Sequence, residues 1–318
     1  MYDRKSERAE ALARYAHARP YSRELEEMLS KEQLDVVSVC TPPWLHASQT
    51  VMGLEAGANV LVEKPMAMTE TDCKAMCDAA RRNARKLCVS HNFLFSRAVA
   101  EAARRVTAGQ AGQVESVVGF QMSTPRRRLP DWYEALPGQL FFDEAPHLLY
   151  LSRRFLGPGE PELLHAASLQ SNPVEVQRTQ NVVTVLKGSS AMGILTMTFN
   201  ASRAEWGIGI VGSEKSYFID LFRDQLLVLG RGGAHTPSEV LGQTIGGIAQ
   251  MTAGAVASGA LYATGRLLYG HRDLITRFLS AVIQDGSTPV PGEEGVRTIA
   301  LLESICRRAN LNPLERVS

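Results

Sequence analysis

The sequence predicts a chain of mixed class, α/β plus α+β. A lobe of parallel βα units comes first, and a mixed, largely antiparallel open-sheet lobe with helices on one face follows it. Three observations carry this. Up to residue 92, apolar runs of strand length alternate with helix-length runs. Beyond residue 113, apolar residues recur with period two, the mark of strands with one covered face. At 318 residues the chain exceeds a typical single domain, and the change of pattern divides it into 1–95 and 96–318.

Taken in order, Arg4 to Tyr15 reads as an Ala-rich amphipathic helix and Ser22 to Leu29 as a short one. The runs 34-LDVVSVC-40, 58-ANVLVE-63 and 86-KLCVSHN-92 read as three strands. Between them lie the loop Thr41-Pro42-Pro43, a helix from Leu45 to Ala56 stopped by Gly57, and a helix from Thr69 to Ala84. A further helix is expected near Arg97 to Ala108. Then 114-VESVVGFQM-122 places Val114, Val118, Phe120 and Met122 on one face. Likewise 195-LTMTFNA-201 groups Leu195, Met197 and Phe199, and 217-YFIDL-221 groups Tyr217, Ile219 and Leu221. Helices near 271–286 and 293–308 end the pattern.

Composition narrows the function classes. An apolar share of 45% and a charged share of 21% describe an ordinary globular chain. A formal net charge of +1 gives no basic footprint for nucleic acid. The compact run Arg126-Arg127-Arg128 reads as a solvated loop. Five cysteines lack metal-site spacing, and Cys73 and Cys77, one helical turn apart, suit packing better than zinc. No metal is expected, and a reducing cytoplasm is the expected compartment. Val240 to Gly265 carries no charged residue and is long enough to span a bilayer. It also holds Gln243, Gln250 and many Gly, Ala, Ser and Thr, so a buried or subunit-facing helix is expected rather than a membrane span.

The residues that carry chemistry fall in two places. The run 61-LVEKPMAMTE-70 ends an apolar strand on Glu63-Lys64-Pro65. The carboxyl end of a parallel sheet is where open α/β folds keep ligands, and Pro65 restricts Lys64 to extended conformations. An alternative is a surface ion pair between Glu63 and Lys64. The run 138-GQLFFDEAPHLLYLSRRFLG-157 places Asp143 and His147 on one helical face. Asp143 could equally cap the helix, and His147 could be a core histidine beside Leu148, Leu151 and Phe155. Pro146, between them, suits only a first helical turn.

Together, DVVSVCTPPWLHA, EAGANVLVEKPMAMT, the Asp-x-x-x-His helix and GHRDLITRF resemble the Gfo/Idh/MocA oxidoreductases, the glucose-fructose oxidoreductase-like and inositol dehydrogenase-like enzymes, over essentially the whole chain. The resemblance implies a Rossmann lobe for NAD(P), here incomplete, and a sheet lobe that binds a sugar-like substrate and forms a homodimer or homotetramer. It implies hydride transfer between the cofactor and a hydroxyl or keto carbon of a sugar, inositol or derivative. Lys64 would face the hydroxyl and the nicotinamide, His147 would accept the proton, and Asp143 would orient the ring or bind a substrate hydroxyl. Thr41, Pro42, Pro43, His46, Glu63, Pro65 and Asn92 would line the cofactor, with a Pro-Pro turn and a helix cap as the alternatives for Pro42-Pro43 and Asn92. The helix departs from the commoner pattern at Ala145 and Tyr150, where the family often has glycine and aspartate.

Ahead of the strand at 34–40 there is no strand, Gly-x-Gly-x-x-Gly turn and helix of the expected kind. Met1-Tyr2-Asp3 reads as the end of a second Rossmann strand. Asp3 then falls where an acidic residue would bind the adenine ribose, which favours NAD over NADP. Two explanations stand: a truncated or wrongly started frame, or a short protein that has lost tight dinucleotide binding. The second would suit a non-catalytic ligand-binding or regulatory member, resembling the galactose-pathway corepressors that share the fold.

Overall fold

The computed structural model describes residues 1–124, 131–170, 179–234 and 236–311, so the Arg126-Arg127-Arg128 run lies outside the described residues. They form two compact units, Met1–Ser90 with Phe278–Val296, and His91–Arg277 with the segment from Arg297.

The first unit begins with α1 (Ser6–Ala16) and α2 (Leu25–Lys31), followed by β1 (Val36–Val39), α3 (Pro43–Glu55), β2 (Asn59–Val62), α4 (Glu70–Arg82) and β3 (Leu87–Val89). The three strands pair in parallel in the order β1-β2-β3, with Val36 opposite Asn59 and Val60 opposite Leu87. β2 and β3 are covered on both faces, with Val60, Val62, Cys88 and Val89 fully buried, whereas β1 buries Val37 and Val39 on one face and leaves Ser38 exposed on the other. Pro43 starts α3 at its first position, where a missing N–H costs no helical bond. Thr69 caps α4 by accepting the Asp72 N–H at 3.0 Å, and Arg81 and Arg82 complement the other end. Cys73 and Cys77 lie on the buried face of α4 beside Met76 and Ala80, and burial pushes the Cys77 thiol up to about 11. Beside this sheet, Val89 donates its N–H to the Val290 carbonyl at 3.0 Å. Tyr2 makes an isolated parallel bridge to Tyr21, which packs with Leu25 and Met28.

In the second unit, α5 (Arg97–Thr107) precedes β4 (Val114–Met122) and α6 (Leu140–Phe155). Then come β5 (Glu162–Gln170), β6 (Thr179–Lys187), β7 (Met192–Thr198), β8 (Glu205–Gly212), β9 (Ser216–Asp220) and β10 (Gln225–Leu229). After the strands comes α7 (Pro237–Ala263); α8 (His271–Ile283) and α9 (Gly292–Arg308) follow in the chain, and each contributes residues to both units. The seven strands form one sheet in the order β10-β9-β8-β4-β7-β6-β5, antiparallel except for the central β4–β7 pair. Leu195, Met197, Phe199, Tyr217, Ile219 and Leu221 are buried together as the period-two pattern requires.

Strand β4 departs from its pattern. An irregularity in its pairing with β8 between Val114 and Ser116 shifts the alternation by one residue, so Val117, Gly119 and Gln121 face the core. Val118 and Phe120 point to the open face instead. There they continue across neighbouring strands, Val118 lying opposite Gly209 and Ile194, and Gly209 opposite Phe218. Gly207 and Gly209 serve this surface: a Cβ on Gly207 would strike the Phe120 ring, and one on Gly209 would press on Phe218.

Helix α7 was expected to be buried or to face a subunit. Within the chain it is largely exposed, with only Ser258 buried. Gln250 closes the sheet edge, accepting the Val228 N–H at 2.9 Å and donating to the Val228 carbonyl at 3.1 Å. Among the described residues, no helix is long and apolar enough to cross a membrane.

Candidate functional site

In the first unit, the predicted residues gather at the carboxyl ends of β1 and β2. Thr41, Pro42 and Pro43 follow β1, and Pro42 occupies the cap position of α3 with extended backbone. Glu63, Lys64 and Pro65 follow β2; the Lys64–Pro65 peptide is cis, and the Lys64 N–H donates to Glu63 Oε2 at 3.3 Å. His46 joins the two loops. Its ring is 1% exposed, with Nε2 2.6 Å from the Thr41 carbonyl and Nδ1 2.8 Å from the Pro65 carbonyl. Burial holds its pKa below the usual histidine range, against the pull of the two carbonyls. The ring thus sits between the carbonyls of the two loops, and its single N–H in the neutral form donates to one of them. Thr41 Oγ1 donates to Gln49 at 2.7 Å, which holds the loop from its other side. Asp3 sits at the head of α1, where one carboxylate oxygen accepts the Lys5 N–H at 2.8 Å.

In the second unit, α6 carries Asp143 and His147 on one face, as expected. The helix starts at Leu140 with Gln139 in the cap position, so Asp143 lies in the first turn and is not the cap. For the same reason Pro146 falls in the helix interior, beyond the first turn in which the sequence reading placed it. The helix is anchored to β4 and its continuation by Glu144, a buried carboxylate that accepts from Gln121 and, at 2.6 Å, from Ser123 Oγ. The same bonds explain why polar Gln121 faces the core.

His147 is 6% exposed, and its Nδ1 lies 2.9 Å from the Tyr150 hydroxyl. That hydroxyl also accepts the Phe93 N–H at 3.2 Å. The imidazole packs edge-on against Phe93, with ring centroids 5.0 Å apart, and lies tilted against Trp206 at 5.3 Å. His91 stacks on the Tyr150 ring at 4.2 Å and 16°. Burial, reinforced by the Arg153 guanidinium, pushes His91 down to about 3. It is therefore a neutral stacking partner near pH 7. Asn92 neither caps a helix nor ends a strand; its Nδ2 donates to the Tyr269 carbonyl at 2.9 Å. At Gly270 the φ is +84°, and a Cβ would overlap the Asn92 carbonyl oxygen, so only glycine fits in the GHRDL motif.

Sequence reasoning named His147 and Asp143 but not Glu144, Phe93, Trp206 or His91. The available signal was Tyr150, one turn beyond His147, where a hydroxyl can reach the ring.

Comparison with known proteins follows the same division. The model "Oxidoreductase family, NAD-binding Rossmann fold" matches residues 1–91, and "GFO/IDH/MocA C-terminal domain" matches residues 99–218. Among curated relatives, D-glucoside 3-dehydrogenase of Escherichia coli K12 is 32% identical over 174 residues, covering 53% of this chain and 49% of that protein. The scyllo-inositol 2-dehydrogenase (NAD(+)) of Bacillus subtilis 168 is 26% identical over 226 residues, covering 69% of this chain and 64% of that one. The chain thus spans about half the length of the first of these relatives and under two-thirds of the second. Among solved structures, the WlbA dehydrogenase of Bordetella pertussis in complex with NADH and UDP-GlcNAcA is 21% identical with a TM-score of 0.77. That match covers 97% of this chain and 86% of the other. A levoglucosan dehydrogenase in complex with NADH is 22% identical with a TM-score of 0.74, covering 97% of this chain and 87% of the other. These likenesses establish the fold.

Proposed function

The chain belongs to the GFO/IDH/MocA oxidoreductase family, and on that premise we propose that it is an NAD(P)-dependent oxidoreductase acting on a hydroxyl or keto carbon of a sugar, inositol or sugar derivative. The observation that carries the proposal is the lysine turn at the carboxyl edge of the parallel sheet, clamped by buried His46 to the loop after β1. The relatives support the substrate class, since their names specify a glucoside, an inositol and levoglucosan. The carboxyl ends of β1 and β2 fit the nicotinamide half of the cofactor: Thr41, Pro42, Pro43, Glu63, Lys64 and Pro65 stand at one edge of one sheet. Asp3 would take the adenine ribose, which favours NAD. When bound, the nicotinamide supplies the hydride acceptor or donor.

The residues of the chain then divide the remaining work. As a C–H hydride leaves the alcohol carbon, the O–H proton must leave too, and a C=O bond forms. The ammonium of Lys64 stabilises the charge that develops on oxygen. His147 accepts the proton: the tautomer that donates Nδ1–H to Tyr150 carries its lone pair on Nε2. Asp143, one turn earlier on α6, holds a substrate hydroxyl or the ring. The exposed apolar face of the sheet, with Val118, Phe120, Ile194 and Phe218, supports self-association as a homodimer or homotetramer. All five cysteines are free thiols, which fits a reducing cytoplasm.

The test is turnover on a panel of sugars and inositols, read by NADH fluorescence. Lys64→Ala and His147→Ala should each lower turnover by ~10²–10⁴ while changing cofactor affinity far less. The double variant should lose much less than the product of the two. A wild-type protein that turns over no member of the panel with NAD or NADP would count against the proposal, as would a fully active His147→Ala.

A further inference from the structure

Helix α7 presents an outward seam that neither the fold nor the proposed chemistry uses. Among the described residues, one side of it meets the protein: Gln250 pairs with Val228, Gly254 lies against Gln225, and Ser258 accepts from Arg97 at 2.9 Å. On the opposite side, Leu241, Ile245, Ile248, Thr252, Ala255, Gly259 and Tyr262 recur at alternating spacings of four and three, the period of a helix-pairing stripe. Leu241, Ile245 and Ile248 are 60%, 59% and 61% exposed, and nothing lies within 4 Å of a Cβ built on Gly259. From Val240 to Gly265 no residue is charged.

We propose that this seam pairs with the same helix of a second copy of the chain, antiparallel about a twofold axis passing near residue 250. The order of sizes along the stripe selects this occupant. Leu241, Ile245 and Ile248 lie before its centre and Thr252, Ala255 and Gly259 after it, with Tyr262 at the far end, so an antiparallel pair centred there sets Leu241 against Gly259, Ile245 against Ala255, Ile248 against Thr252 and Tyr262 against Ser238. Every large side chain meets a small one, which lets the axes approach to about 8 Å without voids. A parallel pair would crowd the leucines at one end and leave a gap between glycines at the other. The contact is isologous, as closed dimers require, and opposes no like charges. A membrane surface fits less well, because interfacial helices carry Lys and Arg on their polar face and α7 has none along this stretch. Some 40 Å of helix, about 10 Å wide, buries roughly 800 Å² over both partners, which is below a stable interface and in the range of weak, reversible contacts, so pairing by α7 depends on concentration. The inference is independent of the dehydrogenase reading.

Two measurements test it. In a Cys40→Ser background, which removes the exposed native thiol, Leu241→Cys and Gly259→Cys proteins are oxidised separately and after mixing. A disulfide should form in the mixture and in neither protein alone, because like positions lie ~27 Å apart in the antiparallel pair. Separately, Ile245→Glu/Ile248→Glu should halve the sedimentation mass with an unchanged circular dichroism spectrum, since both side chains are exposed in the single chain. A mass unaffected by the glutamates together with no cross-link in the mixture overturns the proposal, as does a cross-link in Leu241→Cys alone. A wild-type monomer that floats with phosphatidylcholine vesicles also overturns it, in favour of a lipid surface.

Discussion

Replacing Tyr150 by Phe removes one oxygen and leaves the ring that stacks on His91. That oxygen accepts the Phe93 N–H at 3.2 Å and lies 2.9 Å from His147 Nδ1, in a residue 3% exposed. No cavity of side-chain size is created, so the stability loss comes from the Phe93 N–H, a buried donor stripped of this acceptor. Such a group costs about 1–3 kcal/mol, which urea unfolding resolves. The kinetic effect is separate. If His147 takes the substrate proton on Nε2, its Nδ1–H donates to Tyr150, and the hydroxyl oxygen stabilises the protonated ring. Without it turnover should fall about 10- to 100-fold, less than the ~10²–10⁴ of a whole general base, and the acid limb of the pH–rate profile should move to lower pH. Movement to higher pH would mean that the hydroxyl donates to Nδ1, which puts the proton on Nε2 and excludes His147 as proton acceptor. Unchanged stability with an unmoved limb would show that the Tyr150 hydroxyl holds neither group.

Two further outcomes follow from the same region. His91 stays neutral in the folded protein down to about pH 3, whereas the unfolded chain takes up a proton below about pH 6.5. Its contribution is present above the unfolded value and is lost as pH falls through that window, by ~1.4 kcal/mol per pH unit. His91→Phe should therefore gain on wild type by ~2 kcal/mol between pH 7 and pH 5 in urea unfolding; equal relative stability at the two pH values would refute the buried neutral state. Gly270→Ala should destabilise by about 1–3 kcal/mol, because φ is +84° and the new Cβ meets the Asn92 carbonyl. A thermal midpoint equal to wild type would show that the turn relaxes freely.

What the sequence by itself determined is local. Apolar runs such as Val36–Val39 and Asn59–Val62, separated by helix-length segments, sufficed for a parallel sheet, because periodicity and burial are coupled residue by residue. The same holds for the Asp143–His147 face of α6 and for the Lys64–Pro65 turn after β2. Tertiary structure decided whatever depended on partners distant along the chain. The inward face of β4 follows from a pairing irregularity opposite β8, which reverses the alternation that Val114, Val118, Phe120 and Met122 suggested. The role of His46 follows from two carbonyls, one five residues away and one nineteen, that meet only when β1 and β2 lie side by side. Nothing in the sequence marks Glu144 as buried, and its role as an anchor follows from β4 and its continuation packing against α6. Helix α7 shows the division most clearly: its uncharged composition was legible, but which side stays open is fixed by Gln250 meeting the backbone of an edge strand. A hydrogen bond between residues 22 apart leaves no periodic trace in the sequence.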